Sequence, residues 1–152
     1  MPFWDLNWAY KDQPKKWFKG QLIGKGTFRK VFVAQNNPRL VLKVALNQAG
    51  QSHNVLEVNN WLDFRKTKFA RWFAPIVFNS EDYKVLAQVR ALPIEGCKPP
   101  VQVPEFFTDV RPWNWGWYGD QPVCVDYAYL RLAYLVLRKV KMRSWRVAAS
   151  TV

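Results

Sequence analysis

Asp109-Val110-Arg111-Pro112-Trp113-Asn114-Trp115-Gly116-Trp117-Tyr118-Gly119-Asp120-Gln121-Pro122-Val123-Cys124-Val125-Asp126-Tyr127 is the stretch on which the reading of the chain turns. Residues 114–118 read as one strand, Gly119-Asp120 as a turn, and 122–125 as the returning strand. Such a hairpin brings Asn114 and Asp126, distant in sequence, close together in space. An amide oxygen held beside a carboxylate suits a hard divalent cation such as Mg²⁺. Asp109, five residues before Asn114, falls on the loop leading into the hairpin, where it can orient a hydroxyl or a water. Taken alone, an Asp and an Asn at this spacing also describe an ordinary exposed loop, so the decision rests on the rest of the chain.

Toward the C-terminus, no Asp or Glu occurs from Tyr127 onward. Leu130, Ala133, Tyr134, Leu137 and Val140 recur at helical spacing, which predicts an amphipathic helix over 128–146. Arg131, Arg138, Lys139, Lys141, Arg143 and Arg146 give that helix a basic face. Toward the N-terminus, 94–104 holds three prolines and a glycine and reads as an extended connector. Two strands are expected before it, 74–78 and 84–91, joined by the polar turn Asn79-Ser80-Glu81-Asp82. The basic run 65–71 reads as a solvated helix end or loop.

Further upstream, 39–46 is an apolar strand with one lysine, Lys43, inside it. A lone buried ammonium is costly unless paired; on an exposed face it costs nothing. Residues 52–64 suit a helix, with Ser52 as a candidate N-cap and Val55, Leu56, Trp61 and Leu62 as its apolar residues. Glu57 is the only acidic residue between Lys43 and Asp63. A strand over 17–23 leads into Gly24-Lys25-Gly26-Thr27-Phe28-Arg29-Lys30-Val31-Phe32. Two glycines one residue apart, between strand-like runs, make a tight turn whose backbone amides can approach phosphate. Residues 1–16, with Trp4, Leu6 and Trp8, read as an N-terminal arm.

In this order the elements resemble the protein-kinase superfamily. Gly24, Gly26 and Val31 match its glycine-rich loop, with Arg29 at the place of the third glycine. The strand around Lys43 matches the Val-Ala-Ile-Lys strand, and Asp109-Val110-Arg111-Pro112-Trp113-Asn114 matches the catalytic loop Asp-Leu-Lys-Pro-Glu-Asn. Asp126-Tyr127-Ala128 stands where the family has Asp-Phe-Gly.

The resemblance implies ATP as phosphate donor, with Lys43 on its phosphates and Glu57 steadying Lys43. Gly24, Gly26, Arg29 and Val31 would line the nucleotide, and Arg29 would add positive charge near the phosphates. Residues near Val89 and Ala91 would meet the base as a hinge. Asn114 and Asp126 would hold Mg²⁺, Asp109 would orient or accept the proton of the acceptor hydroxyl, and Arg111 would stabilise the transferred phosphoryl.

The likeness covers roughly two-thirds of the chain. Only fifteen residues separate Pro93 from Asp109, and Thr108 stands where many kinases have arginine. The family's long helices, activation segment and Ala-Pro-Glu have no counterpart. The fold class implied is α+β: a minimal kinase-like domain with an arm (1–16), a five-stranded antiparallel sheet plus one helix (17–92), and a reduced second lobe with a hairpin and a C-terminal helix (93–152). Small truncated proteins of this kind resemble those encoded by bacteriophages.

Composition sets the alternatives. Nearly half the residues are hydrophobic and 16% aromatic, enough for a real core. The net charge of +12 suits an acidic partner: a nucleotide, a nucleic acid or an acidic protein surface. Two cysteines and one histidine are too few for a structural zinc site, and Cys124 reads as a buried thiol. The apolar run 132–137 is too short to span a bilayer, and the first residues lack the pattern of a signal peptide. The expectation is therefore a cytoplasmic protein without membrane contact, in the host cytoplasm if phage-encoded. Its partners would be ATP and a protein substrate. A second function class stays open: a kinase-like module without catalysis that binds and inhibits a host protein or nucleic acid. A homodimer, in which a second copy replaces part of the lost lobe, stays open as well.

Overall fold

Leu40-Val41-Leu42-Lys43-Val44-Ala45 is apolar on both sides of its lysine, and it becomes the central strand of a sheet. The computed structural model describes residues 4–11, 13–94, 99–131 and 139–145. The chain divides into two units, Met1–Arg90 and Ala91–Val152.

In the first unit, strands β1 (Lys19–Lys25), β2 (Arg29–Ala34), β3 (Leu40–Ala45), β4 (Ile76–Asn79) and β5 (Val85–Val89) form one antiparallel sheet in the order β1-β2-β3-β5-β4. A short helix α1 (Asn7–Lys11) precedes it, and a longer helix α2 (Gln48–Phe64) follows β3. The unit is thus α+β with a five-stranded antiparallel sheet, as expected. Leu40, Leu42 and Leu86 fill its core with Phe73, which stacks on Phe64 at 4.8 Å. The arm joins this core: the Trp4 indole donates to the Ala70 carbonyl at 2.9 Å, and the Arg39 guanidinium lies 3.6 Å from the Trp8 ring centre.

Helix α2 differs from expectation in two respects. It begins earlier, capped by Asn47, whose side chain accepts from the Gly50 amide at 2.9 Å; Ser52 lies inside the helix and donates to the Gln48 carbonyl. Its buried face is Gly50, Asn54, Glu57, Val58, Asn60, Trp61 and Phe64. Leu62 is exposed, and Val55 and Leu56 are only half-buried. Much of the inward face is polar, so apolar periodicity points to the wrong side.

The second unit holds two small sheets. Strands β6 (Leu92–Pro93), β8 (Trp115–Tyr118) and β9 (Gln121–Cys124) pair in the order β6-β8-β9, with Gly119 at φ 61° in the turn between β8 and β9. Strand β7 (Gln102–Pro104) pairs with β10 (Met142–Ser144). Its core is aromatic: Phe107 meets Trp115 edge-on at 4.9 Å, and Trp115 meets Trp145 at 5.4 Å.

The predicted C-terminal helix is corrected only where the structure describes it, at 128–131 and 139–144. Met142–Ser144 is a strand, held by Pro104, Val103 and Gln102 opposite it, and Leu130 bridges to Phe107. A non-local ladder has overridden the local periodicity. Residues 132–138 and 146, which that expectation also covered, lie outside the described residues, as does Cys97. Among the described residues no helix is long and apolar enough to cross a membrane.

Candidate functional site

Each unit holds part of the expected set. In the first unit the register of β2 against β3 sets Val31 opposite Lys43 and Arg29 opposite Ala45. Side chains alternate along a strand, so Arg29 and Lys43 are diagonal neighbours on one face of the sheet. Helix α2 presents Asn54 and Glu57, one turn apart, to both of them.

The Lys43 ammonium donates to both oxygens of Glu57, at 3.0 Å and 2.9 Å. Arg29 approaches the same carboxylate with its fork, Nη2 to Oε1 at 3.1 Å and Nη1 to Oε2 at 3.0 Å. Arg29 Nη1 also donates to Asn54 Oδ1 at 3.0 Å, and Asn54 Nδ2 donates to the Tyr83 carbonyl at 2.7 Å. All four side chains are buried, Glu57 completely. Burial alone would raise the Glu57 pKa. The charges of Lys43 and Arg29, with their hydrogen bonds, overcome it and hold the carboxyl down at about 2. The structure therefore brings Lys43 and Glu57 together. It also places Arg29 on Glu57, a bond that sequence reasoning missed. Arg29, two residues before Val31, shares the face of Lys43 only through the β2–β3 register, which the sequence does not show.

Gly24 lies near the end of β1 and Gly26 in the β1–β2 turn, where the Gly26 amide donates to the Arg29 carbonyl at 2.9 Å. The fold itself does not demand glycine at either place: a Cβ would meet nothing nearer than 3.5 Å at Gly24 or 3.7 Å at Gly26. Bare backbone there is of use chiefly to something that approaches it closely. Val31 is half-buried opposite Lys43. Val89 is buried in β5, its amide donating to the Pro75 carbonyl, and Ala91 opens the second unit.

In the second unit, Pro112–Asn114 form a 3₁₀ turn that leads into β8, and the Val125 amide closes on the Asn114 carbonyl at 2.8 Å. Arg111 grips Asp109 with two donors, Nε on Oδ1 at 2.7 Å and Nη2 on Oδ2. Asn114 is buried and its side chain hydrogen-bonds Asp109.

Partial burial would raise the Asp109 pKa, but the Arg111 bonds and charge and the Asn114 bond hold it below the usual carboxylate range. Asp126 is exposed, and its charge helps to raise the Arg111 pKa. The buried Cys124 thiol donates to the Asp126 carbonyl at 3.2 Å. Asp109, Arg111 and Asn114 thus form one cluster, with Asp126 within electrostatic reach. Among the described residues no three His, Cys, Asp or Glu gather as a metal centre. Asn114 and Asp126 nonetheless offer only hard oxygen donors, the type Mg²⁺ takes.

No protein-family model, curated protein or solved structure matches the chain.

Proposed function

We propose that the chain is an ATP- and Mg²⁺-dependent phosphotransferase of protein-kinase type, acting on a Ser or Thr hydroxyl of a protein. The observation that carries this reading is the buried Lys43–Glu57 pair, which joins the central strand to its helix at 2.9 Å and 3.0 Å. A lysine held this way is a fixed cation for phosphate. The bare glycine backbone of the β1–β2 turn and the Asp109–Arg111–Asn114 cluster support the same reading.

In the proposed reaction the acceptor oxygen bonds to the γ-phosphorus as the bond to the β,γ-bridging oxygen breaks, and ADP leaves. Lys43 neutralises phosphate charge, and Arg111 stabilises the transferred phosphoryl. Asn114 and Asp126 supply ligands for Mg²⁺, whose chemistry is to neutralise the phosphate oxygens. Asp109 directs the acceptor hydroxyl. It takes the hydroxyl proton as the new bond forms and, with its lowered pKa, passes that proton on to solvent.

Transfer of labelled phosphate from ATP and Mg²⁺, to the protein itself and to a cell extract, tests the reading. Lys43→Ala and Asp126→Ala are each expected to abolish transfer. Full activity in both would overturn the site assignment.

One observation favours a second reading, a kinase-like module without catalysis. Glu57 is already held by two cations, so the buried cluster is coherent without a nucleotide. With a net charge of +12, such a module would bind and inhibit an acidic protein or nucleic acid. A folded protein that neither transfers phosphate nor binds ATP would favour it. Steep salt dependence of nucleic-acid binding would then identify the partner class.

A further inference from the structure

We propose that Arg29 is a positioning residue: its guanidinium fork locks α2 to the β1–β2 hairpin and so holds Glu57 in a single orientation toward Lys43. The consequence for phosphate transfer rests on the function proposed above; the lock itself does not.

The contacts run along one side of α2 for three consecutive stretches. At its start, Gly50 lies so close to β2 that a Cβ would stand 2.2 Å from the Phe28 carbonyl, an oxygen that accepts from the Leu46 amide at 2.8 Å. One turn on, the Phe28 ring meets His53 edge-on at 4.9 Å, and Arg29 binds Asn54. Another turn on, the same guanidinium binds both oxygens of Glu57. Residues 28 and 29 are adjacent, so a short piece of backbone directly after the glycine turn is fastened to the helix from Gly50 to Glu57.

The helix start is also tied to the β4–β5 turn. Gln51 Nε2 donates to the Asp82 carbonyl at 2.9 Å, and Asn54 Nδ2 to that of Tyr83 at 2.7 Å. Tyr83 has φ 56°, a left-handed conformation in which its carbonyl meets Asn54. Asn54 therefore links the start of β2 to the β4–β5 turn, accepting from Arg29 and donating to Tyr83, and the partners fix which way its amide faces.

Chemistry explains why an arginine does this. An ammonium is a point charge about which a carboxylate can pivot. A planar guanidinium meeting both oxygens fixes the plane of the carboxylate as well as its position. Lys43 and Arg29 together leave Glu57 one geometry, and the helix that carries Glu57 cannot swing from the sheet without exposing two cations and a carboxylate from burial. Helix docking is thereby built into the first unit, where other designs place it under the control of a separate signal.

Amide hydrogen exchange and a carboxyl-carbon NMR titration of Glu57, both on the full chain without nucleotide, test the lock with Arg29→Met and Arg29→Lys. In Arg29→Met, the amides of 50–57 are expected to exchange about 10-fold faster or more while those of β3 and β5 keep their rates. The Glu57 pKa is expected to rise by about one unit or more. Arg29→Lys keeps the charge and loses the fork, so exchange should quicken while the Glu57 pKa stays low. It also answers the question should Arg29→Met fail to fold. Exchange as slow as wild type across 50–57 in a folded variant would overturn the lock. Failure of the wild-type protein to bind ATP would count against the phosphotransferase reading and leave these two measurements standing.

Discussion

The two units each join an arginine to a carboxylate through two hydrogen bonds, yet the settings differ. Arg29–Glu57 is sealed between sheet and helix, with Glu57 wholly buried. Arg111–Asp109 lies where water reaches it, the side chains 46% and 31% exposed. Burial makes the first pair an all-or-nothing structure. Every oxygen of Glu57 must be satisfied, because a carboxylate left alone in the interior costs several kcal/mol. Exposure makes the second pair adjustable, screened by salt and free to exchange its partners for a ligand. The buried cluster therefore suits holding a shape; under the proposed function, the exposed one is where the chemistry falls.

The sharpest way to break this contrast is to remove one carboxylate from each unit. Glu57→Ala leaves Lys43 and Arg29 buried opposite a void and should destabilise the protein by about 3–5 kcal/mol. Asp109→Ala should cost about 1 kcal/mol or less. Urea unfolding of both variants measures the difference, and equal losses would mean that burial is not what separates the pairs.

Acid should act on the same line. The folded-state pKa of Glu57, about 2, lies below its ordinary 4.5. Its contribution to stability is therefore fully present above pH 4.5 and is lost as pH falls from there through about 2. Asp109, also lowered, loses its share in the same direction. In Glu57→Gln the stability–pH curve between pH 4.5 and 2 should flatten markedly relative to wild type. An unchanged slope would assign the acid sensitivity elsewhere.

A smaller effect separates glycines that the fold needs from those it does not. Gly50→Ala drives a methyl against the Phe28 carbonyl and should cost about 1–3 kcal/mol, read as a lower Tm. Gly26→Ala makes only ordinary van der Waals contact, with its nearest neighbour at 3.7 Å, and should leave Tm within a few degrees. Under the proposed function it should nevertheless weaken ATP binding, measurable by calorimetry. Equal affinity for ATP would remove Gly26 from the nucleotide site.

The sheet was legible because strands announce themselves locally. Runs such as 39–46 are apolar and β-branched, and Gly119-Asp120 marks its turn without help from distant residues. The polar core of α2 was not legible as a face, since Asn54 and Glu57 are ordinary surface residues by type. Only Arg29 and Lys43, brought alongside by the β2–β3 register, make their burial tolerable. The helix start was misread for a similar reason. Ser52 and Asn47 are both good caps by chemistry, and the Asn47 bond to Gly50 decides between them.

By itself, the sequence determined the short strand-forming runs, the tight turns between them, and the placement of Lys43 inside an apolar strand. Those properties follow from side-chain type and spacing within a few residues. The tertiary structure alone decided that Met142–Ser144 is a strand on Gln102–Pro104, that Arg29 shares Glu57 with Lys43, and that Asn114 is buried near Asp109. Those outcomes depend on partners distant in sequence or on the orientation of a buried side chain. A hydrogen bond across such distances forms only once the chain has folded.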